Sequence, residues 1–289
     1  VTFADGADII TASAGTSNTR VGVNAGNSIA SGGTFNVAVG DESGTAITTG
    51  DHNVAVGYES LKTEDAHGHN TAVGSQALKT LNAGADGKNT AVGAFAGKLM
   101  TEGVQNTLIG GLAGDALTHA DFNTVVGYQA LSADTFGHRS TAIGYSALNA
   151  QNFASSTNSS NTAVGYHSGL SVSTGIRNTI IGSEAGDALT DADDNVAIGA
   201  LALSADRKGN KATAIGRGAL KVQDFSSSTD SNNTAVGYSA GESVSTGIKN
   251  TFIGSLAGDA ITSGDKNIFI GHDAGSSTGP ADTEDGNII

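Results

Sequence analysis

The sequence predicts an all-β chain, a parallel β-solenoid or β-roll of about 16 rungs, and three observations predict it. The phrase Asn-Thr-x-Val/Ile-Gly returns along the chain, its hydrophobic–Gly pair standing at Val73-Gly74, Val92-Gly93, Ile109-Gly110, Val126-Gly127, Val164-Gly165 and Ile181-Gly182 among others. Counted from the opening Asn, successive units most often start 17 residues apart. Large side chains are scarce: the 289 residues include 42 Gly, no Trp and only 5% aromatic residues, too few for a globular core of that size but enough for a thin core between stacked coils. A fixed short period in a Gly-rich chain marks a solenoid, whose rungs bury their apolar face against their neighbours.

The starts fall at 18, 36, 53, 70, 89, 106, 123, 140, 161, 178, 195, 212, 233, 250, 267 and 287, and Asn opens all but those at Ser140 and Ala212. The longer steps are insertions in the turn region. The ninth residue of each rung adds a higher order, two Gly rungs (Gly97, Gly114) alternating with two Leu rungs (Leu131, Leu148), then Gly169, Gly186, Leu203 and Leu220. The resulting four-rung block is 72 residues long and separates Phe153 from Phe225, and Leu108 from Ile180 and Phe252. Blocks begin near 18, 89, 161 and 233. In Gly rungs an apolar residue three places on, such as Met100, Leu117, Val172 or Leu189, stands in as the second core anchor. The eighth residue is always Ala or Ser, so something packs closely there. The organisation expected is a lead-in segment 1–17 and one solenoid domain 18–289. The final Asn287-Ile288-Ile289 opens a further rung, so the chain is expected to be a piece of something longer.

Each element of the rung follows from residue type. Asn-Thr-x-Val/Ile-Gly is short, β-branched and bounded by turn residues, which is a strand pattern. Thr and the Val/Ile two places on then share one face, and the residue between them takes the other. That middle residue is mostly Ala, with Leu108, Val125, Ile180, Phe252 and Phe269 as larger exceptions. Both faces are apolar or nearly so, which suits a strand covered on both sides: one face looks into the solenoid and the other meets a second sheet or another copy of the chain. The Thr–Val/Ile face is expected inward, and on that reading Val164→Asp or Ile181→Asp collapses the local stack. The stretch leading to Ala-Leu suits either a second strand or one helical turn. Asn is expected at a corner, tolerating left-handed backbone and hydrogen-bonding from rung to rung.

Charge bounds the partners. The net charge is −14, and the cations (Lys62, Lys79, Lys98, Arg177, Lys249 among them) form no basic stripe with stacking aromatics, which argues against nucleic acid. The acidity serves solubility. The absence of Cys excludes disulfides and thiolate metal sites. No apolar run is long enough for a membrane span, no signal peptide is recognised, and no cofactor is expected.

Five patterns invite a chemical reading. Gly237-Tyr238-Ser239-Ala240-Gly241 matches the nucleophile elbow G-x-S-x-G, but sister rungs place Gln129, Ser146, His167 and Glu184 where Ser239 stands, so the match is a product of the repeat and no catalytic residue is assigned. All five tyrosines (Tyr58, Tyr128, Tyr145, Tyr166, Tyr238) follow the repeat Gly directly, either stacking along the rungs or forming a sugar-contacting stripe. Asp115 with Asp121, Asp187 with Asp191, Asp193 and Asp194, and Asp259 with Asp265 offer oxygen ligands but fit neither the EF-hand nor the Ca²⁺-binding nonapeptide, so solvated turn carboxylates are expected. His67-Gly68-His69 presents two imidazoles that could meet an axial metal in a threefold assembly, against the plainer reading of an exposed loop. Thr recurs at the second rung position, from Thr71 to Thr251, and an outward Thr ladder would suit ice binding; inward Thr does not.

The phrases Asn70-Thr-Ala-Val-Gly-Ser-Gln-Ala-Leu78, Asn123-Thr-Val-Val-Gly-Tyr-Gln-Ala-Leu131 and Asn161-Thr-Ala-Val-Gly-Tyr-His-Ser-Gly169 resemble the repeats of tail-fibre and related virion proteins of marine tailed phages, over residues 18–275. More distantly they are similar to the head repeats of trimeric autotransporter adhesins, left-handed parallel β-rolls with a shorter rung. The resemblance implies a homotrimeric, non-enzymatic virion fibre, extracellular, serving as a rigid spacer and contributing to binding of a host-surface glycan or protein. A bacterial surface adhesin or self-assembling extracellular filament is the alternative, and an ice-binding solenoid the third.

Overall fold

Three-residue strands with β-branched ends recur along the described residues and pair in parallel at one repeat's offset. In the pair Thr162–Val164 and Thr179–Ile181, Thr162 lies against Thr179, Ala163 against Ile180 and Val164 against Ile181. Like residues therefore stack in rows. This is a computed structural model that describes residues 14–275 and 285–289; residues 1–13 of the lead-in segment and residues 276–284 lie outside the described residues.

The chain divides into two compact units, residues 1–121 and 122–289. The first carries strands Thr19–Val21, Val37–Val39, Val54–Val56, Thr71–Val73, Thr90–Val92 and Thr107–Ile109, each paired with the next. The second carries Thr124–Val126, Thr141–Ile143, Thr162–Val164, Thr179–Ile181, Val196–Ile198, Thr213–Ile215, Thr234–Val236, Thr251–Ile253 and Ile268–Ile270, paired likewise. Each unit is a stack of parallel β-solenoid coils with a period of about 17 residues, about fifteen coils among the described residues of the two. The sixteenth start, at Asn287, contributes one bridge, Ile288 to Ile268. The 72-residue block is visible in the second unit as two added strand pairs, Gly137–His138 with Thr157–Asn158 and Gly209–Asn210 with Thr229–Asp230.

The expected face assignment is inverted. The middle residue of the strand is the core residue: Ala163, Ile180, Leu108, Val125, Phe252 and Phe269 are fully buried. Thr and Val/Ile point outward, and Val92, Ile109, Ile181 and Ile253 are 36–41% exposed. Val73, Val126 and Val164 on the same row are half-buried. The reason is the width of the coil. With a small Ala or Ser at the eighth position buried on nearly every coil, the interior is narrow and has room for one side chain per strand, and a three-residue strand offers one on that side.

The glycines of the ladder serve the corner after the strand. Gly165 has φ +141°, and a Cβ there would stand 2.5 Å from the carbonyl oxygen of Gly182 in the next coil; Gly74, Gly93, Gly110, Gly127 and Gly182 share the conformation. The stretch leading to Ala-Leu is neither strand nor helix, and no helix occurs among the described residues. It is a turn with left-handed backbone at its seventh and ninth positions, as at His167 (φ 54°) and Leu148 (φ 49°). The two-way core anchor holds: Leu148 fills the interior where Gly114 gives way to Leu117, and a Cβ on Gly114 would lie 2.7 Å from Cδ1 of Leu117.

The Asn ladder also differs from expectation in one respect. The left-handed corner is the residue before the Asn (His69 φ 62°, Arg177 φ 58°, Lys249 φ 61°), not the Asn itself. The Asn side chain turns inward instead. Asn178 donates through Nδ2 to the carbonyl of Ala192 at 2.8 Å, closing its own coil, and accepts through Oδ1 from the backbone N–H of Asn195 at 3.0 Å, joining the next. Fixed hydrogen bonds thus satisfy backbone groups that the narrow interior buries.

Candidate functional site

Two surfaces and one turn carry the residues with chemistry. The first surface is the corner row after the repeat Gly, where all five tyrosines are 46–52% exposed. The structure brings three of them together: Tyr128 and Tyr145 stack at 5.8 Å, Tyr145 and Tyr166 at 5.5 Å, with ring planes within 18° of parallel. His167 covers Tyr166 at 3.8 Å. The parallel pairing of their strands sets this stacking. Tyr238 stands apart, with the Arg217 guanidinium 5.8 Å over its ring, and Tyr58 belongs to the first unit. Mutual stacking occupies most ring faces of the triple, leaving its edges and hydroxyls to solvent.

Beside Tyr58, Glu59 is gripped by Lys62 and Lys79, each at 2.7 Å, with Gln76 donating at 2.8 Å; Lys62 also pairs with Glu42. The hydrogen bonds from Lys62 and Lys79 hold the Glu59 carboxyl down to about 2. This network ties neighbouring coils across a surface turn.

The second surface is the outward sheet face, a Thr row alongside a Val/Ile row, half-exposed on both units. Its outward direction removes the objection that an inward Thr row raised against an ice-binding use.

The turn residues sort differently from the sequence reading. Asp121, Asp193 and Asp265 are not simply solvated: each accepts at 2.8 Å from the backbone N–H of the residue 17 positions earlier, Val104, Ile176 and Ile248. Asp115, Asp187 and Asp259 each bury one carboxylate oxygen without a partner, and burial raises all three above the usual Asp range. His67 and His69 go to different neighbours. His69 stacks on His52 at 5.2 Å, which stacks on Phe35 at 5.0 Å, on the exposed row of residues that precede the repeat Asn. His67 turns toward Glu64. Ser239 is 3% exposed, on the left-handed seventh position, φ 51°.

Sequence reasoning missed the buried polar turns of the Leu rungs. Asp134 and Asp206 are fully buried, and each accepts at 2.6 Å from a buried amide of the next coil, Gln151 and Gln223. The other end of each Gln accepts from an Asn, Asn161 at 2.8 Å and Asn233 at 2.7 Å. Burial raises both Asp carboxyls despite these donors. The signal was available: these residues lie three places after the ninth-position Leu, where Gly rungs carry their apolar anchor.

The described residues form no enclosed pocket, and they contain no helix long and apolar enough to cross a membrane. No known protein family, curated protein or solved structure matches this chain.

Proposed function

We propose that this chain is a non-enzymatic structural fibre segment of a phage virion, extracellular, acting as a rigid spacer and contributing to attachment at a host-surface glycan or protein. The observation that carries the reading is the outward sheet face. A regular half-exposed row of Val and Ile beside a row of Thr, repeated in register on successive coils, is a surface suited to another copy of itself, and a homotrimer is the assembly proposed. Support for a load-bearing role comes from the Asn and Gly ladders, which lock each coil to the next through backbone contacts. The Tyr128–Tyr145–Tyr166 stack, with its edges and hydroxyls outward, is the proposed contact for the host surface. Light scattering tests the assembly: a solution mass about three times 28.5 kDa is expected, reduced to one chain by Val164→Asp together with Ile181→Asp. A wild-type monomer overturns the trimer.

The outward Thr row favours one second reading, an ice-binding solenoid, since a flat and regular Thr array is what such binding requires. Thermal hysteresis of the purified chain, abolished by Thr162→Tyr, would establish it in place of the fibre.

A further inference from the structure

The three buried acidic turns of the Leu rungs are built alike, except in one place. At Asp134 the backbone N–H of Gly137 donates at 3.0 Å, that of Phe153 in the next coil at 3.3 Å, and the Gln151 amide at 2.6 Å. At Asp206 the same places are held by Gly209 at 2.9 Å, Phe225 at 3.3 Å and Gln223 at 2.6 Å. Glu64 occupies the equivalent position in the first unit and is equally buried. It keeps the two backbone donors, His67 and Ala83, both at 3.2 Å. The amide is gone: Leu81 stands where Gln151 and Gln223 stand. A buried carboxylate deprived of its strongest donor is costly to keep charged.

In the same turn an imidazole has arrived. Where Asp134 has Gly137 and Asp206 has Gly209, Glu64 has His67. A Cβ on Gly137 would stand 2.0 Å from Asp134 Oδ2 and 3.0 Å from Gln151 Nε2, so the sister turn as built leaves no room for a side chain there. His67 Nδ1 is buried and without a hydrogen-bond partner, 3.7 Å from Glu64 Oε1, too far for a hydrogen bond. Asp65 adds a second carboxylate, and one ligand atom from each of the three residues lies within 4.8 Å of the others.

We propose that Glu64, Asp65 and His67 form a binding site for one divalent transition-metal cation, Zn²⁺ being the type. Two ligand atoms on a tetrahedral Zn²⁺ stand about 3.4 Å apart, given metal–ligand distances near 2.1 Å. The His67–Glu64 separation is close to that span. One imidazole and two carboxylates are a donor set that divalent transition metals accept, with water completing the shell from the half-exposed side of His67. The cation supplies the charge that Gln151 and Gln223 supply as amide dipoles in the sister turns, and it pins the turn at Glu64 to the next coil through the Glu64–Ala83 bond.

Calorimetric titration of the chelator-treated full chain with ZnCl₂ tests this, together with His67→Gly (the residue of the sister turns), Asp65→Asn and His69→Ala. One Zn²⁺ per chain and a raised melting temperature are expected for the wild type. His67→Gly and Asp65→Asn should weaken binding by at least about tenfold, and His69→Ala should leave it unchanged. No saturable binding overturns the proposal. So does wild-type affinity in His67→Gly, which would put the ion elsewhere on the acidic surface, and so does loss of binding in His69→Ala. Should His67→Gly fail to fold, the Co²⁺-loaded wild type decides: ligand-field bands of an N/O site are expected, and the spectrum of the aqueous ion alone overturns the site.

Discussion

Gly241 and Phe252 are two halves of one packing unit: a Cβ on Gly241 would stand 2.7 Å from Cδ2 of the Phe252 ring, which is fully buried in the next coil. Gly241→Ala should therefore destabilise the chain by about 1–3 kcal/mol through overpacking. The backbone adds to that cost, because the φ of 60° at Gly241 is one that L side chains adopt under strain, as Leu220 does with φ 48° at the same rung position. Phe252→Ala alone should cost about 3–5 kcal/mol by leaving a cavity. The double variant should lose less than the sum, because the added methyl fills part of the space the ring vacates. Thermal melts of the three variants check the coupling, and additive losses would refute it.

The inverted strand faces make a second pair of variants informative. Ala163 is fully buried, so Ala163→Asp places a charge without a partner in the core and should cost about 4 kcal/mol or more, or prevent folding. Val164→Asp, one residue on, stays on the outward face and should cost only about 1 kcal/mol to a single chain. Circular dichroism during heating separates them. Equal losses would return the Val row to the interior.

How much of this was legible in the sequence depends on what each residue answers to. The period and the parallel stacking were readable because they are backbone matters that repeat in every rung, whereas the corner was expected at Asn and not at glycines such as Gly165 and Gly182. The face was not readable from Ala163 and Val164, since both are apolar and period two alone does not say which side is inside. Coil width decided that, and only the small eighth residue hinted at it. The Tyr128–Tyr145–Tyr166 stack followed from one shared position, whereas the split between His67 and His69 did not: one turns to Glu64 and the other stacks on His52, a residue of the preceding coil. Asp134 was not singled out, since its partner Gln151 is 17 positions away.

Asn178 should be among the most sensitive polar positions. Its side chain satisfies the carbonyl of Ala192 and the N–H of Asn195, both within the stack. Asn178→Ala leaves both groups buried and unpaired, at about 1–3 kcal/mol each. Denaturant melts should show a loss of about 2–6 kcal/mol, whereas removal of the exposed neighbour in Arg177→Ala should cost less than about 1 kcal/mol, its ion pair with Asp194 being solvent-exposed. A mild Asn178→Ala would mean that water replaces the side chain in the coil.

Asp206 gives the stability of the second unit a pH dependence of unusual sign. Burial raises its carboxyl above the ordinary value of 3.8, and the donors Gln223, Gly209 and Phe225 only partly offset this. As pH rises past the ordinary Asp value, the unfolded chain releases its proton first while the folded chain keeps it. The folded state then binds more protons, and stability from this group falls with rising pH until the folded carboxyl ionises, after which it is level. Glu59 works oppositely: held down to about 2 by Lys62 and Lys79, it contributes stability present above its ordinary value of 4.5 and lost as pH falls toward 2. Asp206→Asn abolishes the first effect and leaves the second. The melting temperature of Asp206→Asn relative to wild type should therefore climb as pH is raised from about 4, then plateau, and a difference independent of pH would show that Asp206 is ionised in the folded chain throughout.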